Sequence, residues 1–246
     1  MGMKLIYLGC LSSTKYTDTC ENAIQIINKI DDEYKVLEEA PCCGALAYHI
    51  TPDTTLEEHV NLVNDWFKKN NVEKIVTICA GCYNYLTYYY PKYKADEFEV
   101  VVEHLLQFMA KPENIDKLDL KYDGKKLRVC YHDACHLRNA DIPIIDEPRE
   151  ILNSINKVEV FEMENNKLNS ICCGAGGGVY ATFKENSDYN TKSIFDQMRR
   201  GKALITACPF CYTAFKRVAE EENMKKPIIK FEDFIIKIMN GVDPLK

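Results

Sequence analysis

The stretch EEAPCCGALAY, residues 38–48, places two cysteines side by side and a glycine directly after them. A disulfide between adjacent cysteines strains the peptide bond that joins them, so Cys42 and Cys43 are not expected to pair with each other. Two small thiols in a row also contribute little to a packed core. The stretch therefore predicts a site that uses neighbouring sulfur atoms, with Gly44 permitting a tight turn beside them.

The cysteines of this 246-residue chain follow a repeat. Ten of the twelve fall into two sets with the same order, which is a single cysteine, then CCG, then C-x-x-C. Corresponding cysteines are offset by 125 to 130 residues, and this regularity indicates an internal duplication. The first cysteine set is Cys10, Cys42, Cys43, Cys79 and Cys82, and the second cysteine set is Cys135, Cys172, Cys173, Cys208 and Cys211.

Composition and charge exclude several classes of function. Hydrophobic residues make up 46% of the chain and charged residues 28%, as in ordinary globular proteins. The net charge of −6, with no basic cluster, gives no electrostatic case for binding nucleic acid or an anionic membrane. No segment has the ~20 apolar residues of a membrane span, and the apolar run in residues 1–10 is too short for a signal peptide. We expect a cytoplasmic protein without direct membrane insertion.

The number of cysteines favours metal binding. Disulfide scaffolds are usually much shorter secreted chains, so disulfides and inert buried thiols are the weaker alternatives here. A C-x-x-C pair alone would suit a thioredoxin-like dithiol, but three further cysteines in each set would then have no role. Cys20 and Cys130 lie outside the repeat, and we expect them to be inert buried thiols in a helix and a strand.

Apolar runs lead into the cysteines in both halves of the chain. Residues 4–10, 73–79, 126–135 and 202–208 read as buried strands that end at or just before a cysteine. Between the first two runs, residues 52–70 predict a helix that begins with a capping box formed by Thr54 and Glu57. Its apolar stripe consists of Leu56, Val60, Val63 and Phe67.

Strands that alternate with helices predict an α/β fold with parallel sheets. The duplication divides it into two Rossmann-like halves, residues 1–120 and 121–246, each a mostly parallel sheet flanked by helices. Sites in such folds form beyond the carboxyl ends of the strands, so we expect both cysteine sets there. Cys82 and Cys211 would then open the next helix, where the helix dipole favours thiolates.

The ligand chemistry restricts the metal without deciding it. Thiolates select zinc, copper(I) or iron–sulfur clusters. Structural zinc and a cubane cluster each take about four ligands, whereas each cysteine set offers five. The surplus suggests a bridging cysteine or an open, non-cubane cluster, and zinc remains an alternative.

The cysteine pattern resembles that of the CCG-domain, or cysteine-rich domain, family. Its motif, C-x(31–39)-C-C-G-x(34–36)-C-x-x-C, is matched in full by both sets, so the resemblance covers nearly the whole chain. The stretches YHDACHL (131–137), CCGAGGGV (172–179) and TACPFC (206–211) also carry it. Within the family, the chain resembles the catalytic subunit of heterodisulfide reductase and the CCG part of the membrane-linked counterpart of that subunit.

This resemblance implies two non-cubane 4Fe-4S clusters, one per cysteine set, with zinc as the alternative at the N-terminal site. It also implies reduction of a disulfide such as CoM-S-S-CoB between the clusters. The chain shows no ferredoxin motif and no flavin or nicotinamide fingerprint. A ferredoxin-like iron–sulfur subunit would therefore supply electrons, and a flavin-containing subunit is a further candidate partner.

Two other functions remain open. Similar CCG subunits belong to lactate-utilisation and glycerol-3-phosphate dehydrogenase systems, in which they relay electrons. The third hypothesis is a scaffold protein that binds zinc at both sets.

The candidate catalytic residues are His132 and His136, which flank Cys135. Reducing a disulfide takes two electrons and two protons, and an imidazole is a suitable proton donor. The alternative is that either histidine only orients a loop. A glycine run begins at Gly174. It does not match the dinucleotide-binding motif G-x-G-x-x-G, because Val179 occupies the sixth position of the run. We expect its backbone to lie close to a cluster, with Gly44, Gly174 and Gly176 as cofactor-binding residues.

Overall fold

A computed structural model describes residues 2–37, 39–94 and 97–246, and in them two parallel sheets of four strands. The first sheet has the order β2–β1–β3–β4, formed by β1 (Met3–Tyr7), β2 (Tyr34–Lys35), β3 (Val72–Thr77) and β4 (Val101–His104). The second sheet has the order β6–β5–β7–β8, formed by β5 (Leu127–Tyr131), β6 (Val158–Val160), β7 (Leu204–Thr206) and β8 (Ile228–Lys230). The predicted α/β fold with two similar halves is confirmed.

Helices connect these parallel strands. In the first half they are α1 (Cys10–Lys15), α2 (Thr17–Ile30), α3 (Asp53–Lys69), α4 (Ala80–Asn84), α5 (Tyr90–Tyr93), α6 (Leu105–Ala110) and α7 (Pro112–Leu118). In the second half they are α8 (Cys135–Arg138), α9 (Glu147–Ser154), α10 (Val179–Thr182), α11 (Lys184–Asp196), α12 (Pro209–Glu221) and α13 (Phe231–Met239). Short 3₁₀ turns cover Ala47–His49 and Lys167–Asn169, and a π-helical turn covers Tyr85–Tyr89.

The helix α3 shows how the pattern of the sequence determines local structure. All four residues of its predicted apolar stripe are buried, because a period of 3.6 residues keeps them on the face that covers the sheet. The predicted capping box was wrong. The helix begins after Pro52 and no side chain caps it, so Thr54 and Glu57 both lie inside the first turns.

The strands end two to four residues before the ends of the predicted apolar runs. The last paired residues of β1 and β3 are Tyr7 and Thr77, and β5 ends at Tyr131. After β3, β5 and β7 the residues that follow the strand are themselves buried, so hydrophobicity alone overestimates the strand length. Consequently Cys10 and Cys135 begin helices.

One hydrophobic core extends through both halves. It includes Ile26 from α2, Leu106 from α6, Leu152 from α9 and Phe234 from α13. Helix α2 packs against α13, and α6 packs against α9. The predicted boundary between residues 120 and 121 falls between α7 and β5, and it stays a prediction. Within the described part of the chain, no helix is long and apolar enough to cross a membrane.

Candidate metal centres

The sulfur atoms of each cysteine set meet in pairs with matching geometry. In the first set, Cys42 Sγ lies 3.6 Å from Cys10 Sγ, and Cys43 Sγ lies 3.2 Å from Cys82 Sγ. The fifth cysteine, Cys79, interacts with Cys82. The fold thus brings together five residues that are spread over more than 70 positions of the sequence.

The second cysteine set repeats this arrangement. Cys172 Sγ lies 3.6 Å from Cys135 Sγ, Cys173 Sγ lies 3.1 Å from Cys211 Sγ, and Cys208 interacts with Cys211. In residues 2–37, 39–94 and 97–246, no three or more histidine, cysteine or acidic side chains are grouped around the position of one metal ion. Hydrogen bonds between Cys42 and Cys43 and between Cys79 and Cys82 join the thiols of the first set into one continuous group.

The glycine of each CCG triplet holds its loop against the cysteines. The N–H of Gly44 donates to Cys42 Sγ at 3.5 Å, and the N–H of Gly174 donates to Cys172 Sγ at 3.4 Å. Both glycines have positive φ, 86° and 69°, which an L side chain rarely adopts. A Cβ atom at Gly44 would also lie 2.7 Å from the ring of His59. These positions therefore require glycine.

Polar side chains fix the carbonyl groups of both CCG loops. In the first half, His59 Nε2 lies 2.7 Å from the Cys42 oxygen, and the Tyr90 hydroxyl donates to the Cys43 oxygen at 3.0 Å. In the second half, Asn190 and Ser187 donate to the corresponding oxygens of Cys172 and Cys173. None of these four residues was predicted from the sequence. The halves use different residue types for this task, so the repeat gives no signal for them.

Helix N-termini also surround the cysteines. Cys79 and Cys208 immediately precede α4 and α12, and Cys82 and Cys211 are the third residues of these helices, close to the predicted position. Thr77 accepts the N–H of Cys79 at 3.3 Å, as Thr206 does for Cys208 at 3.4 Å. Free backbone N–H groups at a helix start favour thiolates.

The pKa values within each set separate a thiolate from its protonated neighbour. Hydrogen bonding with Cys10 and Cys43 lowers the pKa of Cys42, whereas hydrogen bonding with Cys42 raises the pKa of Cys10. The pair Cys172 and Cys135 behaves in the same way. Each set therefore offers a ready thiolate ligand on its CCG loop.

The two sets differ in exposure. Cys10 and Cys42 are exposed and border a cavity of about 350 Å³, whereas Cys135 and Cys172 are only partly exposed. The remaining cysteines of both sets are buried, as are Cys20 and Cys130 outside the repeat. Solvent thus reaches the first set more easily than the second.

Two clefts related by the repeat lie between the halves. The polar cleft, of about 590 Å³, is lined by Asn84, Tyr85, Tyr88, Cys135, His136 and Asn139 among others. The apolar cleft, of about 250 Å³, is lined by Leu11, Lys15, Ala175, Phe210, Ala214 and Arg217 among others. His136 and Leu11 occupy corresponding positions of the repeat, 125 residues apart. Each half therefore forms part of the wall of both clefts.

The structure separates the two candidate catalytic histidines. His136 lines the polar cleft between the halves, within 3.6 Å of the Cβ position of Gly81 and 4.0 Å of that of Gly176. His132 is fully buried, with its ring 4.9 Å from that of Phe215, and this burial lowers its pKa to about 4. Only His136 is thus placed to reach a molecule in the cleft.

A buried ion pair supports the loop that carries Cys135. Arg149 donates to both carboxylate oxygens of Asp133, at 2.7 and 2.9 Å, and to Glu162 at 2.6 and 2.9 Å. Asp133 is 1% exposed and also accepts the N–H of Lys167. A carboxylate that is buried and bonded in this way has little freedom, so it fixes the loop before α8.

The aromatic segment after Cys82, residues 83–93, contributes both to the core and to the polar cleft. Tyr85 and Tyr90 are buried, and Tyr85, Tyr88 and Tyr89 border the polar cleft. The segment contains the π-helical turn, a local irregularity that is frequent at functional sites. It therefore provides both core packing and one wall of the cleft.

The residues present fit iron–sulfur clusters. Each set supplies five thiol groups, and the glycine loops leave no room for an added Cβ beside the sulfurs: at Gly9 it would lie 3.1 Å from Cys82 Sγ. At the second set, both ring nitrogens of buried His132 lack a hydrogen-bond partner among the described residues. A site for an iron–sulfur cluster offers soft thiol donors, a backbone that approaches closely and an imidazole without a partner.

Comparison with known proteins gives the same grouping. The model of the cysteine-rich domain (CCG) family matches residues 5–87 and 129–216, which include all ten cysteines of the two sets. The chain belongs to the cysteine-rich domain family. The two matched segments coincide with the two copies of the repeat.

Several curated proteins are similar to most of this chain. An uncharacterized iron–sulfur protein of Methanocaldococcus jannaschii is 33% identical over 90% of the chain and 43% of its own length. One subunit of the fumarate reductase (CoM/CoB) of Methanothermobacter marburgensis is 31% identical over 89% and 42%. One subunit of the dihydromethanophenazine:CoB–CoM heterodisulfide reductase of Methanosarcina acetivorans is 29% identical over 96% and 58%. The chain thus spans roughly half the length of these relatives.

Proposed function

We propose that the chain is an iron–sulfur subunit of an oxidoreductase complex. The observation that carries this is the pair of five-cysteine sets with matched geometry, the second of which reaches the polar cleft through Cys135. The names of the relatives support it, since they describe iron–sulfur proteins and subunits of oxidoreductases.

Each cysteine set, in this proposal, holds one non-cubane 4Fe-4S cluster through its five thiolates. A single zinc ion needs four donors around one point. Each set supplies five thiols, one more than a zinc ion takes, which favours a polynuclear cluster over zinc. The fifth cysteine is then a ligand rather than a surplus.

The substrate of the proposed reaction is a small disulfide. Two electrons and two protons convert R–S–S–R′ into the thiols RSH and R′SH, and the bound clusters supply the electrons. The polar cleft has the volume of a small-molecule site and reaches Cys135 directly. Its asparagine and tyrosine side chains offer hydrogen bonds to polar groups of a substrate.

His136 delivers protons in this scheme. It lies on the wall of the cleft, next to the first residue of α8, and it is near glycines that border both cysteine sets. His132 is enclosed by the core and its lowered pKa keeps it neutral at pH 7, so proton delivery is assigned to His136 alone.

A partner subunit delivers the electrons. Two of the relatives are subunits of larger oxidoreductases by name, and the exposed sulfurs of Cys10 and Cys42 offer a short route to a docked partner. A ferredoxin-like iron–sulfur subunit is the partner that suits this route, and a flavin-containing subunit would suit a longer complex.

The first test is the metal content after anaerobic purification. Two clusters require about eight iron atoms and eight sulfides per chain. Protein that contains zinc instead of iron after anaerobic reconstitution would contradict the proposal and favour the hypothesis of a zinc-binding scaffold protein.

The second test is turnover of the CoM-S-S-CoB disulfide with a reduced dye as electron donor. Cys173→Ala is expected to abolish turnover. The matched control is Cys130→Ala, which removes a buried thiol outside both sets and should retain activity. Iron-loaded protein without any disulfide turnover would favour an electron-relay subunit instead.

A further inference from the structure

His132 is the one residue at the second cysteine set whose chemistry the proposed function does not use. It directly follows β5, and its own N–H continues the sheet by donating to the Ile205 oxygen at 2.9 Å. The side chain is 0% exposed. Both ring nitrogens lack a partner among the described residues, although a neutral imidazole always has one N–H to donate.

Such a donor is costly to leave unsatisfied. Burying a polar group without a hydrogen bond destabilises a protein by about 1–3 kcal/mol, so native structures contain few of them. Phe215 covers one side of the imidazole with an edge-to-face contact at 4.9 Å. Asp133, the neighbouring carboxylate, already accepts hydrogen bonds from Arg149 and Lys167. His132 lies three residues before Cys135, and Phe215 belongs to α12, the helix that carries Cys211. The acceptors that remain for His132 are therefore the sulfurs of the second set.

In the first half, the residue that corresponds to His132 has no unused hydrogen-bond donor. The repeat places Tyr7 opposite His132, again 125 residues earlier and three residues before the first cysteine of its set. Tyr7 is also buried, but its hydroxyl donates to the carbonyl oxygen of Pro41, next to Cys42. Its hydrogen-bonding capacity is used by the backbone. The two sets thus share cysteines and glycine amides, but at this position the second half has a donor that the backbone does not use.

We infer that the imidazole of His132 donates a hydrogen bond to sulfur of the cluster held by the second cysteine set. This hydrogen bond raises the reduction potential of that cluster above the potential of the cluster at the first cysteine set. This inference rests on the proposed function, because it requires clusters at both sets. A hydrogen bond to sulfur stabilises the reduced, more negative form of a cluster. Electrons that enter at the exposed first set are then drawn to the second, which borders the polar cleft.

Measuring the reduction potentials of the two clusters tests the inference about His132 directly. In anaerobically reconstituted protein, the midpoint potentials of both clusters are measured by redox titration followed by electron paramagnetic resonance. We expect His132→Phe to shift the second-set midpoint to lower potential and leave the first unchanged. His132→Gln retains an N–H donor and should restore part of the shift. The matched control is Tyr7→Phe at the first set, which should leave the second-set midpoint unchanged.

A second measurement does not depend on the folding of the His132 variants. Pulsed electron paramagnetic resonance of full-length protein with ¹⁵N-labelled histidine should show nitrogen coupled to one cluster. The coupling should persist in His136→Gln and also in His59→Gln, which removes the imidazole beside Cys42 of the first set, and this identifies its source as His132. Equal midpoints in wild type and His132→Phe, or iron-loaded protein without this coupling, would overturn the inference. Protein that binds no iron would instead overturn the proposed function.

Discussion

Gly44 illustrates how much a single backbone position contributes to the first cysteine set. Its φ of 86° and the nearby ring of His59 both exclude a side chain. Gly44→Ala should lower the free energy of unfolding by about 2–4 kcal/mol, through backbone strain and displacement of His59. Anaerobic urea denaturation measures this change.

Gly241 provides the matched control. It has φ of 66°, but nothing lies within 4 Å of its Cβ position, so Gly241→Ala adds strain without a clash. Its expected cost is about 1 kcal/mol. Equal losses in the two variants would mean that the contact with His59 contributes nothing.

Glu232 makes stability depend on pH. Burial raises its pKa to about 8, above the 4.5 of an exposed glutamate. Below pH 4.5 both the folded and unfolded states hold the proton. Between pH 4.5 and 8 only the unfolded state loses it, so stability falls as pH rises, by up to about 1.4 kcal/mol per pH unit.

Glu232→Gln removes this titration. The difference in unfolding free energy between the variant and wild type should grow in favour of the variant from pH 5 to pH 8. Urea denaturation at pH 5, 6.5 and 8 measures it, and titrations common to both proteins cancel. A difference that stays constant over this range would show that the carboxyl group titrates normally.

At the scale of elements, the buried pair of Asp133 and Arg149 holds the connection between β5 and α8. Arg149→Ala would leave the Asp133 carboxylate buried without its cation, and should cost about 3–5 kcal/mol of unfolding free energy. Arg128→Ala is the control, because its partner Glu159 and Arg128 itself are more than two-fifths exposed. An exposed pair contributes about 0–1 kcal/mol. Similar losses for the two variants would contradict this argument.

The elements themselves were predictable where a period or a repeat marks them. The apolar stripe of α3 and the parallel strands before each cysteine follow from hydrophobic spacing, and the structure confirms both. The ends of the strands were not predictable, because the buried loops at the sheet edge are as apolar as the strands. The helix cap was not predictable either. Thr54 and Glu57 have suitable types and spacing for a capping box, but the N-cap residue is Pro52, two positions before Thr54.

The candidate sites show the same limit. Cysteine spacing identifies two equivalent sets because ligand chemistry restricts residue type. The side chains that hold the CCG loops only need a donor, so His59 and Asn190 serve equally well. A role that several residue types can fill leaves no pattern in a single sequence. Burial of His132 also depends on α12, which is distant in the chain.

For the whole molecule, the unequal exposure of the two cysteine sets predicts that the two proposed clusters differ in stability. An iron chelator should remove iron in two phases of similar size, with the first set in the fast phase because Cys10 and Cys42 are exposed. Iron release followed by absorbance measures both phases.

Single-set variants assign these phases. Cys43→Ala should lack the fast phase, and Cys173→Ala should lack the slow one. A single phase in wild type, or the reverse assignment, would show that exposure of the cysteines does not control access to the metal.

The clefts between the halves also carry a historical implication. Helix α1 packs against α12, and α4 packs against α8, so the helices that carry cysteines contact the opposite copy of the repeat. A lone repeat would expose these helices and form only one side of a cleft. Two identical copies would bury them around a twofold axis and form two identical clefts. We infer that the ancestor of this chain was a homodimer. After gene fusion the two clefts diverged, and one became polar while the other became apolar.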